Sequence, residues 1–223
     1  MIEHEFEPVP GLPEMLPPGE TLIWQGAPQW RVLARRAFHL KTVGAYFVAL
    51  IMLRMGTGLL YEADIAAAVQ SSVMLACLGA VAAGILVFYA WLIARSTIYT
   101  LTDKRLVIRF GIALPMTVNL PFSSIQSAAV KHYDDDCGDI ALTLESGTRL
   151  SYIVMWPHTR PWNFRHPQPM LRCVAQSGYV SDLLANAASK AVAQIRRATA
   201  DTTGQDLSAR HHGTAGSTWG ETT

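Results

Sequence analysis

The sequence predicts a membrane α-helical hairpin of two transmembrane helices, followed by an α+β domain built as a small antiparallel barrel with a C-terminal helix. Three observations carry this. Two long runs in the first half of the chain are almost free of charge, the middle alternates apolar and polar residues with period two, and the last third regains helical spacing. The totals agree: 50% of the 223 residues are hydrophobic and 16% charged, where soluble domains carry about 25% charged residues. A net charge of +1 gives no sign of a nucleic-acid partner. Three scattered cysteines (Cys77, Cys137, Cys173) make neither a disulfide framework nor a paired zinc site.

Residues 1–38 read as a proline-rich cytoplasmic segment. MIEHEFEPVPGLPEM has no basic n-region and no apolar h-region, so it does not fit a secretory signal. Pro8, Pro10, Pro13, Pro17 and Pro18 exclude a helix there; extended docking and a plain linker both remain open.

Residues 39–95 form the hairpin. Val73–Ala94 holds no charge and no proline over 22 residues, about 33 Å of helix against a hydrocarbon core of about 30 Å. His39–Tyr61 is apolar apart from Lys41 near its start and Arg54. A charge at mid-membrane costs roughly 2.5–3.5 kcal/mol on insertion scales, so Arg54 either snorkels toward the far interface or pairs with a partner protein. Ala76, Ala80 and Gly84 lie four apart on the second helix. They fit packing against Gly44, Ala45 and Ala49, or against a second copy of the chain as a homodimer. Arg31, Arg35, Arg36 and Lys41 precede or begin the first span, Arg95, Lys104 and Arg105 follow the second, and the link Glu62–Ser72 has no lysine or arginine. Both termini are therefore expected in the cytoplasm, with a short periplasmic or luminal link between the spans.

Residues 96–198 form the domain. Thr97–Thr102 is rich in β-branched residues, and in the strand after the Asp103-Lys104 turn Leu106, Ile108 and Phe110 share a face. Met116–Leu120, Ile125–Val130, Ile140–Glu145 and a strand through Leu150, Tyr152 and Val154 bring the total to about six. Met170–Ala198 reads as the closing helix, with an interruption at Gly178, and residues 199–223 as a disordered tail.

The sequence holds no phosphate loop, G-x-G-x-x-G, G-x-S-x-G or H-E-x-x-H. No nucleophile, base and orienting group stand at a motif spacing, so no catalytic residues and no enzyme activity are expected. Asp134-Asp135-Asp136 could hold a divalent cation but reads more simply as a solvated acidic loop. WPHTRPWNFRHPQP is the unusual segment. Trp156, Trp162 and Phe164 interleave with His158, Arg160, Arg165 and His166, and four prolines exclude a helix or central strand. This is the composition of a protein-binding hot spot or an interfacial anchor; a loop covering the sheet remains open.

LPPGETLIWQGAP, the two spans, YTLTDKRLVIRFG, VNLPFSSIQSAAV and GDIALTLESG together resemble the bacterial pleckstrin-homology-like (PH-like) domain family of membrane proteins. The residues that carry this are Gly19, Glu20, Trp24, Gly26, Pro28, Tyr99, Leu101, Thr102, Arg105 and Leu106. EFEPVPGLPEMLPPGE, LARRAFHLK and WPHTRPWNFRHPQPMLR resemble more closely the PuhB family, photosynthetic-complex assembly proteins of purple bacteria. That resemblance implies a PH-like fold for the domain and a non-catalytic role in assembling the photosynthetic reaction centre, with an effect on the core light-harvesting antenna. Its partners would be reaction-centre subunits, core antenna and membrane lipid. No histidine lies between His39 and His132, so no axial ligand for a pigment stands within the spans and no cofactor is expected. The alternative is a membrane-anchored lipid-binding or sensory module. Ser96–Ala198 has 11 Lys and Arg against 7 Asp and Glu, a balance of +4 that modestly favours anionic lipid.

Overall fold

A computed structural model describes residues 16–61, 65–133, 136–145 and 151–213. The chain enters the sheet before it enters the hairpin. Leu22–Gly26 forms β1, Trp30–Arg36 forms α1, and the two long helices follow as α2 (Leu40–Tyr61) and α3 (Ile65–Ser96). The chain then returns through β2 (Ile98–Thr102), which pairs with β1 antiparallel, Gly26 opposite Tyr99. The N-terminal segment is therefore part of the domain from β1 onward, and residues 1–15, with three of the five prolines singled out there, lie outside the described residues. Leu22 and Ile23 are exposed at 43% and 40%, so β1 lacks the alternation in burial that marks a strand in sequence.

The first sheet continues with β3 (Arg105–Phe110) and β4 (Met116–Pro121), in the order β1-β2-β3-β4. β5 (Ile125–His132), β6 (Cys137–Leu144) and β7 (Met170–Ala175) form a second, three-stranded antiparallel sheet. Among the described residues the strands pair as these two sheets, not as one closed ring. The expected strand through Tyr152 and Val154 is instead one helical turn, α4 (Tyr152–Met155), while Leu150 lies outside the described residues. Met155 is buried whereas Ile153 is 85% exposed, so the short alternation there did not track burial. β7 replaces the first turns of the expected closing helix. Met170 to Val174 are all buried, because one face meets the shared core and the other meets α1. Burial on both faces erases period two, which is why the strand read as helix.

The core is shared by both sheets and by the last helix, α5 (Ser177–Gly213). Tyr99, Leu106 and Ile108 from the first sheet meet Ile140, Leu142 and Leu171 from the second. α5 closes the open end with Val180, Leu184, Ala187 and Ala191, a stripe at helical spacing. The helix continues past Ala198 to Gly213, where a disordered tail was expected; residues 214–223 lie outside the described residues.

The long helices stand apart from this core. They have mean hydropathies of 1.7 and 2.4, and in the most apolar stretch of each 6% of the residues are buried. A core helix of a soluble protein would be mostly covered; these two are long and apolar enough to cross a membrane. They pack antiparallel. A Cβ at Gly79 would stand 2.9 Å from the Phe47 ring, and Gly58 lies against Ala68. The expected stripe of Ala76, Ala80 and Gly84 is exposed, and Gly44 and Gly84 face open space. α3 has several small-residue stripes, and the bulk of Phe47 selects the one with a hole at Gly79. Helix already begins at Ile65, inside what was expected to be a link. α3 has 32 residues, about 48 Å, so it outruns the 22-residue α2 by about 15 Å. α1 covers this overhang: Val32, Leu33 and Ala34 pack on Ala90 and Ile93 of α3 and on Cys137 and Cys173 of the second sheet.

Candidate functional site

The residues of the family-like pattern prove to be joints of the scaffold. The Arg105 guanidinium grips Glu20 through two bonds, Nε to Oε1 at 2.9 Å and a second amine to Oε2 at 3.1 Å. Thr102 Oγ1 accepts the backbone N–H groups of Lys104 and Arg105 and so closes the β2–β3 turn. Asp103 fastens that turn to the entering chain by accepting the Thr21 N–H at 2.9 Å. A Cβ at Gly26 would overlap the Trp24 ring. Tyr99 is fully buried, and its hydroxyl accepts the Arg172 N–H at 3.0 Å.

That hydroxyl explains His158. Tyr99 OH lies 2.9 Å from His158 Nδ1, and Thr97 Oγ1 lies 3.1 Å from Nε2. Because Tyr99 already accepts from Arg172, its own proton faces Nδ1, which leaves the ring proton on Nε2 toward Thr97. Burial, and after it the Arg172 charge, hold the imidazole pKa down to about 3, so the ring is neutral near pH 7. His158, expected to contact a partner, is 1% exposed and holds the core instead. Burial likewise pushes the Tyr99 and Cys173 groups well above their ordinary pKa values.

The other side chains of the Trp156–Pro169 segment divide. Trp156 packs back on Phe38 and Tyr89, with ring centroids at 6.0 and 6.2 Å, which fastens the loop to the α1–α2 corner and to α3. Arg160 donates to Gln168 at 3.2 Å across the base of the loop. Trp162, Phe164, Arg165 and His166 remain on the surface. Trp162 is 86% and Phe164 60% exposed, although Phe164 rests on Tyr152 at 4.5 Å.

Sequence reasoning missed the neighbours of this patch. Ile153 stands exposed beside the loop, and Ile112 and Leu114 are exposed in the β3–β4 connection, Leu114 at 77%. Ile112, Val154, Trp156 and Met116 line a cavity of about 170 Å³ with Tyr89 and Ile93 of α3. The apolar rim thus gathers at the foot of α3, where the long helix passes into β2. The unbroken GIALP run between two strands was the signal for it.

Arg54 lies apart from all of these. Its Nε donates to Ser71 Oγ on α3 at 2.9 Å, and that hydroxyl turns to the Ala67 and Ala68 carbonyls. Seven residues separate Arg54 from the end of α2 at Tyr61, about 10 Å along the helix. Of the acidic run, Asp134 and Asp135 lie outside the described residues. Among the described residues no group of three or more His, Cys, Asp or Glu could hold a metal.

Residues 38–188 match the family described as Bacterial PH domain. A Rhodobacter capsulatus protein described as an uncharacterized 23.7 kDa protein in the puhA 5′ region is 37% identical over 187 residues, 83% of this chain and 87% of that protein. No solved structure matches.

Proposed function

Because the chain belongs to the bacterial PH domain family, we propose that its PH-like domain serves as the head of a membrane-anchored, non-catalytic assembly factor of the PuhB kind. It would act on the photosynthetic reaction centre, with an effect on the core light-harvesting antenna. The observation that carries the photosynthetic part is the Rhodobacter capsulatus relative, whose description sets it beside the reaction-centre locus puhA.

The anchoring part draws on the fold. α2 and α3 are long, apolar and uncovered, and they leave from and return to neighbouring strands of one sheet. That pairing supports a hairpin with both ends on one side of the bilayer, and the flanking arginines and lysines favour the cytoplasmic side. The contact with an immature subunit falls to Trp162 and Phe164, exposed aromatics fixed beside the foot of α3. A second reading, a lipid-binding module, draws on the cationic cavity considered below.

The test is deletion of the gene in a phototrophic host, with reaction centre quantified in membranes by near-infrared absorbance. A several-fold loss, restored by the wild-type gene and restored less well by a Trp162→Ala, Phe164→Ala variant, supports the proposal. Normal reaction-centre levels in the deletion strain would sink it.

A further inference from the structure

A cavity of about 470 Å³ opens where the α1–α2 corner meets the second sheet and the proline-rich loop. Four cations line it: Arg36 from the corner, Lys131 from β5, Arg160 from the loop and Arg172 from β7. Asp139 is the one carboxylate among the described lining residues, and both of its oxygens accept hydrogen bonds. Oδ2 accepts the Tyr133 hydroxyl at 2.7 Å and Oδ1 the Cys173 N–H at 2.8 Å.

Arg172 is the informative member. It is 8% exposed, and its Nε makes no hydrogen bond among the described residues. A guanidinium withdrawn from water with an unanswered N–H is costly unless something anionic meets it. Next to it, Arg36 and Lys131 converge on one aromatic ring, 5.0 and 5.7 Å from the centroid of Tyr133. Among the described lining residues Lys131, Arg160 and Arg172 outnumber the single Asp139 carboxylate, and the excess positive charge around a concave site favours an anion. Guanidinium forks match the oxygens of a phosphate, and the volume exceeds what one small inorganic ion needs.

Position narrows the source. His39 lines the same cavity, and α2 starts at the next residue, Leu40. If α2 spans the bilayer, the cavity lies at the depth of lipid headgroups. We propose that this cavity binds a phosphate group, carried by an anionic lipid headgroup or by a soluble phosphate. The site does not depend on the assembly role; only the lipid source rests on the membrane reading.

The experiment uses the full chain in an uncharged detergent, titrated calorimetrically with short-chain phosphatidylglycerol, short-chain phosphatidylcholine and inorganic phosphate. We expect saturable binding of one phosphatidylglycerol per chain. The Lys131→Gln, Arg160→Gln double variant weakens it roughly tenfold or more. Lys190→Gln with Arg196→Gln, which removes the same charge from α5, changes it by less than about twofold. Arg172→Met abolishes binding; should that variant misfold, the Lys131, Arg160 pair still decides. Saturation by phosphatidylglycerol alone assigns a lipid headgroup, and saturation by inorganic phosphate assigns a soluble source; either supports the site. The proposal is overturned if neither saturates, if phosphatidylcholine binds as tightly, or if the α5 pair weakens binding as much as the cavity pair.

Discussion

Glu20 has 4% of its side chain exposed, whereas its partner Arg105 has 28%. The inequality makes the two halves of the pair respond differently to mutation. Arg105→Met strands a buried carboxylate and is expected to cost about 3 kcal/mol. Glu20→Gln leaves a guanidinium that water can reach, and should cost about half as much. Thermal unfolding of both variants in detergent checks the order; equal shifts would mean that the pair is not held as described. His158 gives a pH prediction. Its pKa is lowered in the folded state, to about 3 from an ordinary 6.5, so the unfolded chain binds the proton first. Its contribution is complete above pH 6.5 and is lost as pH falls toward 3, at up to about 1.4 kcal/mol per pH unit. Denaturant unfolding of wild type and of His158→Gln between pH 7 and pH 4 should show a steeper decline in the wild type. Both residues were visible in sequence, Glu20 in a pattern and His158 in an unusual loop. Their roles were not, because Arg105 is 85 positions from Glu20 and Tyr99 is 59 from His158.

Elements were legible in proportion to how unevenly they are buried. β3 announces itself because Arg105 and Arg109 stay partly exposed while Leu106, Ile108 and Phe110 are covered. β7 did not, since α1 caps it and leaves it no exposed polar face that sequence patterning could show; α1 keeps exposed arginines, but seven residues are too few to establish a period. The hairpin shows the same limit: apolar length located both helices, while composition could not choose which face of α3 meets α2. That choice is testable. Gly79→Leu drives a side chain into Phe47 and should destabilise the hairpin by about 1–3 kcal/mol, as overpacking does. Gly84→Leu meets open space and should leave the melting temperature of the detergent-solubilised chain unchanged. A loss at Gly84 matching that at Gly79 would show that a second surface covers that stripe.

At the scale of the molecule, the governing fact is that a helical hairpin interrupts a sheet. β1 and β2 are hydrogen-bonded neighbours, with Trp24 opposite Leu101 and Gly26 opposite Tyr99, yet α1, α2 and α3 lie between them in the chain. A two-stranded ladder cannot form across a bilayer, so if α2 and α3 cross one, as proposed, the residues before α1 and after α3 share one compartment. The lysine and arginine bias makes the same demand from composition alone. The sheet adds a mechanical consequence, because the head is held by two covalent strands and by α1 wedged against the overhang of α3. If the hairpin spans a bilayer, a head docked in this way would present Trp162 and the β3–β4 connection at a fixed height, where a freely tethered domain would sweep over many. Cysteines placed singly at Ser151, in the linker at Ala63 and at Asp182 on α5, in a Cys77→Ser background, distinguish these arrangements in intact inner-membrane vesicles of cytoplasm-out orientation. Ser151 and Asp182 should react with a membrane-impermeant maleimide, and Ala63 only after the vesicles are opened. Labelling of Ala63 in sealed vesicles, or protection of Asp182, would mean that the two long helices do not cross the membrane as a hairpin, and the proposed anchoring of the head would fall with it.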